Sequence, residues 1–168
     1  NSASVPDEDL NSAQSTGVER SQSNVFMMDL DGIGKREVGI VDKVQYAVIA
    51  IDKVPSIHNE FSSTEADGVF YIVNVVAHNS DKKTHNVNVA RINLIDDQGR
   101  EFDPSNDGGT ALRMAGIKTV ETLLTQVQPG TIKHITLVYD APEDATGLKL
   151  KIPAGTFSLR RGAVIKIP

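Results

Sequence analysis

The sequence predicts an all-β fold, a sandwich of seven or more strands with at most one short helix. Three observations carry that reading. Short segments alternate apolar and polar residues with a period of two, turn residues separate them at short intervals, and no long stretch keeps a helical period. At 168 residues the chain is long enough for one domain with a real core and something left over.

The first 24 residues, NSASVPDEDLNSAQSTGVERSQSN, hold few apolar side chains and many Ser, Asn, Gln, Asp and Glu. Such a segment has little to bury against the entropy of ordering it, so residues 1–24 read as a flexible polar tether and 25–168 as the sandwich domain. A start at Asn1 without methionine fits either a processed signal peptide or lipoprotein leader or a trimmed chain. The run Val25–Met28, closed by Asp29-Leu30-Asp31-Gly32-Ile33-Gly34, reads as an ordered lead-in ending in a glycine turn.

Strand segments then follow in order. Glu37–Val41 is short; Val44–Val54 is longer, and Pro55 is expected to end it because proline cannot donate to a ladder. Residues 56–68 read as a polar connection with Phe61 as its one buried candidate. Val69–Asn79, VFYIVNVVAHN, is the strongest strand. Val69, Tyr71, Val73, Val75 and Ala77 form one apolar face, and the other face is apolar at one end and polar at the other. Asn79–Lys83 is a turn. In Val87–Asp96 the apolar phase slips between Val89 and Ile92, which a β-bulge near Ala90 or Arg91 would repair. Asp96–Arg100 is a turn around Gly99 before a short Glu101–Phe102 edge.

Residues 110–127 are ambiguous: Leu112, Ala115, Thr119, Leu123 and Val127 keep a helical spacing, while Gly116, Thr119, Val120 and Thr122 disfavour a helix. The balance predicts a short helix over 110–115 and an extended stretch to Val127. Gln128-Pro129-Gly130 is a turn. Ile132–Asp140, Gly147–Ile152 and a last alternating run from Phe157 to Ile167 complete the strands. The Asp140 carboxylate, at a strand exit, is expected to accept local backbone hydrogen bonds.

Composition excludes several kinds of chemistry. With 22 acidic against 17 basic residues and a net charge of -5, the chain does not suit neutralisation of nucleic-acid phosphates. Zero cysteines remove disulfides, thiolate metal sites and thiol nucleophiles. No apolar run is long enough to span a membrane as a helix, and no nucleophile elbow, phosphate loop, dinucleotide fingerprint or HExxH pair occurs. No catalytic or cofactor-binding residue is assigned, and no metal ligand.

Two clusters invite a metal reading. His78 and His85 flank one predicted hairpin turn and His134 lies on another strand, so a zinc site with a carboxylate is conceivable; polar strand ends, like His58, are the simpler account. Asp96, Asp97, Glu101, Asp103 and Asp107 lie in two glycine-containing loops, and calcium takes oxygens from such loops; a solvated turn cluster is again simpler. The absence of tryptophan weakens both a glycosidase and a sugar-binding platform. Lys82, Lys83, Arg160 and Arg161 read as solvated strand ends.

Three blocks carry a family resemblance: ADGVFYIVNVVAHNSDKK at 66–83, INLIDDQGREFDPS at 92–105 and QPGTIKHITLVYDAPED at 128–144. Their marked positions are Val69, Val73, Val75 and Asn79; then Asp96, Gly99 and Phe102; then Val127, Pro129, Gly130, Val138, Tyr139, Asp140 and Pro142. Over residues 38–153 the sequence resembles domain-of-unknown-function family 4352. Val127 stands where leucine or isoleucine is usual, and Ala141 replaces the commoner valine before Pro142. The resemblance implies an immunoglobulin-like sandwich, exported or lipid-anchored in bacteria, similar in fold to a mycobacterial immunoprotective secreted antigen. It implies no catalytic residues.

The expected function is therefore a non-catalytic extracellular or cell-envelope module that binds a protein partner, by strand augmentation or through loop-borne apolar anchors. Phe61, Leu112, Met114 and Ile117 are the candidate anchors, each with the competing role of closing the core. The alternative is a metal-ion or small-ligand module built on the acidic loops of residues 96–107.

Overall fold

The computed structural model describes residues 24–121, 123–155, 158 and 161–168. The proposed tether lies outside these apart from Asn24, as do Arg160, Phe157 and Leu159. Eleven strands and one short helix are present among the described residues: β1 (Val25–Leu30), β2 (Gly34–Val41), β3 (Val44–His58), β4 (Ser63–Asn79), β5 (His85–Asn88), β6 (Asn93–Ile95), β7 (Glu101–Phe102), α1 (Asn106–Met114), β8 (Leu124–Val127), β9 (Ile132–Ala141), β10 (Lys149–Ile152) and β11 (Ala163–Lys166). A five-stranded antiparallel sheet, ordered β1-β2-β3-β4-β9, packs against a four-stranded sheet, β11-β10-β6-β7, and a two-stranded ribbon, β5-β8. The result is a β-sandwich with one short helix.

β4 organises the molecule. Its odd residues Val69, Tyr71, Val73, Val75 and Ala77 enter the inter-sheet core with Val48, Leu94, Ile135, Leu137, Tyr139, Leu150 and Ile165. Its even residue Phe70 points the other way, into a second cluster with Ile57, Ala111, Leu112, Val120 and Val138. That is why one end of β4 is apolar on both faces: α1 lies across it, on the outside of the sheet.

The helix begins four residues earlier than the propensities predict. Asp107-Gly108-Gly109 reads as a loop because glycine costs about 1 kcal/mol in a helix relative to alanine. Burying side chains such as Phe70 and Val138 under the helix is worth about 1.5–3 kcal/mol each, which outweighs that cost. Glycine is also what permits the contact, since a Cβ at Gly108 would fall 2.6 Å from Val138 Cγ1. Ser105 caps the helix, its side chain accepting from the Gly108 amide at 3.0 Å.

Three other expectations change. Pro55 does not end β3; it sits at a register shift between Val54 and Ser56, where the ladder needs no proton from it, and residues 56–58 pair with 63–65 as a hairpin arm. Opposite this irregularity Gly68 lies so close to β9 that a Cβ would meet the Ala141 carbonyl at 2.3 Å. Asp140 does accept backbone hydrogen bonds, from the distant Asp67 and Gly68 amides at 2.8 and 2.9 Å. The predicted bulge near Ala90 is a 3-10 turn, Val89–Arg91, that carries the chain from the ribbon to the second sheet, so β5 and β6 pair with different partners.

Where β4 ends, Asn79 is fully buried. Its Nδ2 donates to the carbonyls of Lys83 and Val127 at 2.7 and 2.8 Å, its Oδ1 accepts from the Asp81 amide, and its backbone carbonyl accepts from the Gly130 amide at 2.8 Å. Gly130 has φ +71, the left-handed conformation that lets its amide turn toward Asn79. One residue thus joins the exit from β4 and the end of β8 through its side chain, and the turn into β9 through its backbone.

Asn79→Ala removes the donor to the Val127 carbonyl, a buried bond, together with the partly buried bonds to Lys83 and Asp81, and is expected to cost about 2–4 kcal/mol. Thermal melting should show a drop of roughly 5–15 °C; an unchanged midpoint would contradict the role assigned to Asn79.

Candidate functional site

The acidic residues of 96–107 do not converge. Asp96 is buried, and its oxygens accept from the Gln98 and Arg100 amides and from Arg100 Nε, the last at 2.6 Å. Burial alone would raise its pKa, but the Arg100 side chain, the two amides and the guanidinium charge together lower it. Asp96 is the cap of the Gly99 turn. Asp97 accepts from the Thr146 hydroxyl, Glu101 pairs with Lys151 and Asn93, and Asp107 stands in the first turn of α1. Asp103 lies just before the Pro104 bridge to β9, exposed. Among the described residues no three His, Asp or Glu side chains are grouped so as to hold a metal.

The histidines are similarly separated. His78 and His85 do not face each other across a hairpin, because β5 pairs with β8 and not with β4. His78 lies opposite Ile132 and His134 opposite Val76, making the two histidines diagonal neighbours across β4 and β9. His58 sits on the hairpin arm beside Ser56. His85 Nε2 is 2.8 Å from Asp81 Oδ2, and Lys43 approaches the same carboxylate at 3.4 Å. The His85 hydrogen bond, with the Lys82 amide and Lys43, holds the Asp81 carboxyl down to about 2. This pair closes the surface turn of residues 81–85, where Lys82 and Lys83 are exposed, as is Arg161 in the segment leading to β11.

A cavity of about 240 Å³ opens at one end of the sandwich, with Val44, Tyr46, Val87, Ile92 and Ile152 in its wall. It is smaller than most ligand clefts; its apolar wall belongs to the inter-sheet core, and Asp42, His85, Asn86, Asn88 and Arg91 also line it. Burial, reinforced by Asp42, raises the Tyr46 phenol well above its usual range.

The candidate anchors divide sharply. Leu112 is buried in the second core and serves the fold. Phe61 was the expected buried residue of its segment; Ile57 takes that place instead, and Phe61 is 92% exposed. It stands at the tip of the β3–β4 arm, in a turn built by Asn59. The Asn59 Oδ1 accepts from the Phe61 and Ser62 amides at 2.8 and 3.0 Å, and the Asn59 amide donates to the Ser62 carbonyl. Met114, at the end of α1, is 65% exposed, and Ile117, Leu123 and Leu124 follow as exposed apolar side chains. The arm carrying Phe61 and the helix carrying Met114 share one cluster, through Ile57 and Leu112. Sequence periodicity could not find this surface, because it shows only that Phe61 interrupts a polar segment, not which way the arm turns it.

The family model described as "Domain of unknown function (DUF4352)" matches residues 36–161, most of the chain. The chain belongs to the DUF4352 family. Solved structures with the same architecture include the yjhA protein of Bacillus subtilis, at 14% identity, TM-score 0.54, 78% of this chain and 96% of that one. A conserved hypothetical protein of Bacillus anthracis aligns at 13% identity and TM-score 0.54 over 88% of this chain and all of that one. A putative lipoprotein of Bacillus subtilis, ycdA, aligns at 13% and TM-score 0.56, over 77% of this chain and 38% of its own length. These likenesses establish a shared fold. No curated protein is a significant match to the sequence. The DUF4352 marks Asn79, Asp96, Gly99, Pro129, Gly130 and Asp140 all fall in the turns and strand ends described above, where they make the fold.

Stability should depend on acid through these carboxylates. Asp81 titrates lower folded than its unfolded value of about 4, so its contribution is present above that pH and is lost as pH falls toward 2. Asp96 and Glu101 shift in the same direction. Chemical denaturation from pH 5 to 2 should show Asp81→Asn losing less stability than wild type over that window; parallel curves would contradict the assignment.

Proposed function

We propose that this chain is a non-catalytic, immunoglobulin-like binding module of the bacterial cell envelope or exterior, engaging a protein partner through its hairpin arm. The single observation behind this reading is Phe61, a nearly fully exposed aromatic ring on a turn whose backbone is held by hydrogen bonds from and to Asn59. A solvated phenylalanine carries a standing cost, and a turn whose backbone is already held loses less conformational entropy when a partner binds. Aromatic side chains of this kind are frequent centres of binding energy. Met114, at the end of the helix that braces the arm, and Ile117, just beyond it, are further exposed apolar side chains.

Location in the envelope is supported by the putative lipoprotein among the solved relatives and by the polar composition of residues 1–23, suited to a tether. The acidic balance of the chain favours no nucleic-acid partner. Among the described residues Asp81 and His85 serve to close a surface turn, with Lys43 and the Lys82 amide as the other partners of Asp81.

Phe61→Asp should abolish capture of the partner from envelope extracts while leaving the melting temperature within about 2 °C, because the site is exposed. A Glu60→Ala control should bind as wild type does. Equal capture by Phe61→Asp and wild type would overturn the hairpin as the binding element.

A further inference from the structure

The two edges of the five-stranded sheet are finished differently. Along β9 from Thr136 onward the outward edge is covered: the Thr136 amide donates to the Thr119 carbonyl, and the Ser105 amide donates to the Val138 carbonyl. Isolated bridges from Pro104 and Val120 complete that cover. Along β1 nothing comparable is present among the described residues. The Ile40 amide donates to the Asn24 carbonyl, which fixes the phase of the ladder: residues 24, 26, 28 and 30 bond toward β2, and Val25, Met27 and Asp29 present their N–H and C=O groups outward.

Open edges invite pairing, and folded proteins usually block them with proline, lysine, a bulge or a covering segment. β1 has no proline and no lysine, and its register with β2 is unbroken over six residues. Its central residue, Met27, is 60% exposed.

We propose that β1 is a self-association edge, whose occupant is the β1 strand of a second copy of this chain, running antiparallel about a two-fold axis at Met27. The choice of occupant follows from the side chains. With Met27 opposite Met27 of the second copy, Val25 lies opposite Asp29, and all three open residues of each strand are bonded. On the outer face Phe26 meets Met28, a sulfur–aromatic pair formed twice by the symmetry. The two Asp29 carboxylates stand on opposite sides of the axis, four residues from each other in register, so no like charges oppose. The paired edges make one ten-stranded sheet from two five-stranded ones. A six-residue strand pair buries little surface, so the dimer is reversible and depends on concentration. This edge is separated from the Phe61 arm by β2 in the sheet order, and the inference does not rest on the hairpin reading.

The chain contains no cysteine, so a single introduced thiol reports the register directly. In the proposed pairing the two Met27 Cα atoms lie about 5.5 Å apart, within disulfide range, and the two Asp29 Cα atoms lie roughly 13 Å apart, outside it. Full-length Met27→Cys should form a disulfide-linked dimer at least tenfold faster than Asp29→Cys under the same mild oxidation. Sedimentation equilibrium of the wild type should show mass rising from one chain toward two across the micromolar range. Met27→Lys should stay monomeric with an unchanged melting temperature. Wild type that remains monomeric, or a dimer in which Met27→Cys links no faster than Asp29→Cys, would overturn the proposal. So would a monomer whose Val25, Met27 and Asp29 amides resist exchange, since the chain's own N-terminal segment would then occupy the edge.

Discussion

β4 has two apolar faces, and no single layer can cover both. The inner face, from Val69 to Ala77, meets the second sheet and the β5-β8 ribbon, but Phe70 on the other side needs a cover of its own. α1 supplies it, seated on Phe70 and Val138 through the gap that Gly108 leaves. Much of the remaining structure answers to this arrangement. Residues 103–105 and 119–120 run along β9 because the chain must enter and leave the helix there, and in doing so they close one edge of the sheet. The crossing at Asn79 is needed because β4, with β3 and β9 on either side, has no edge left for β5.

What these layers leave uncovered is where binding can occur. The register shift at Pro55 frees the end of the β3–β4 hairpin to extend as an arm, and the Asn59 turn fixes Phe61 at its tip. The opposite edge, β1, has neither helix nor loop across it among the described residues. The helix lies over β3, β4 and β9 and braces the arm through Ile57, while β1 stands at the far edge of the same sheet. The titratable groups, by contrast, are used inward or locally. Asp96 closes a turn, Asp140 holds the Gly68 approach, and Asp81 ties Lys43 to His85.

Much of this fold is legible in the sequence where a residue's constraint is local. Period-two alternation gives β4 and β9, and the turns at Gly99 and Gly130 announce themselves by residue type. The β-sandwich and the short helix follow from these, and the DUF4352 blocks mark the same positions. Elements decided by tertiary contact are not legible. Gly108 and Gly109 argue against a helix until Val138 and Phe70 are known to lie beneath it. Pro55 argues for a strand end until the register shift is seen, and the phase slip at Ala90 does not distinguish a bulge from a change of sheet. The same holds for the candidate site: Leu112 and Phe61 are both apolar residues in polar surroundings, and only the direction of the hairpin separates the buried one from the exposed one. The acidic loops looked convergent because sequence proximity hides that the Gly99 turn and the α1 cap serve different layers.

Native-state amide hydrogen exchange, read residue by residue on a dilute and therefore monomeric sample, tests the central claim that β4, covered on both faces, organises the structure. The account predicts the slowest exchange in β4 from Val69 to Asn79 and in the middle of β9, with α1 protected alongside them and the Val25, Met27 and Asp29 amides exchanging freely. Protection centred instead on the β6-β10-β11 sheet, with α1 and Phe70 exchanging early, would contradict it.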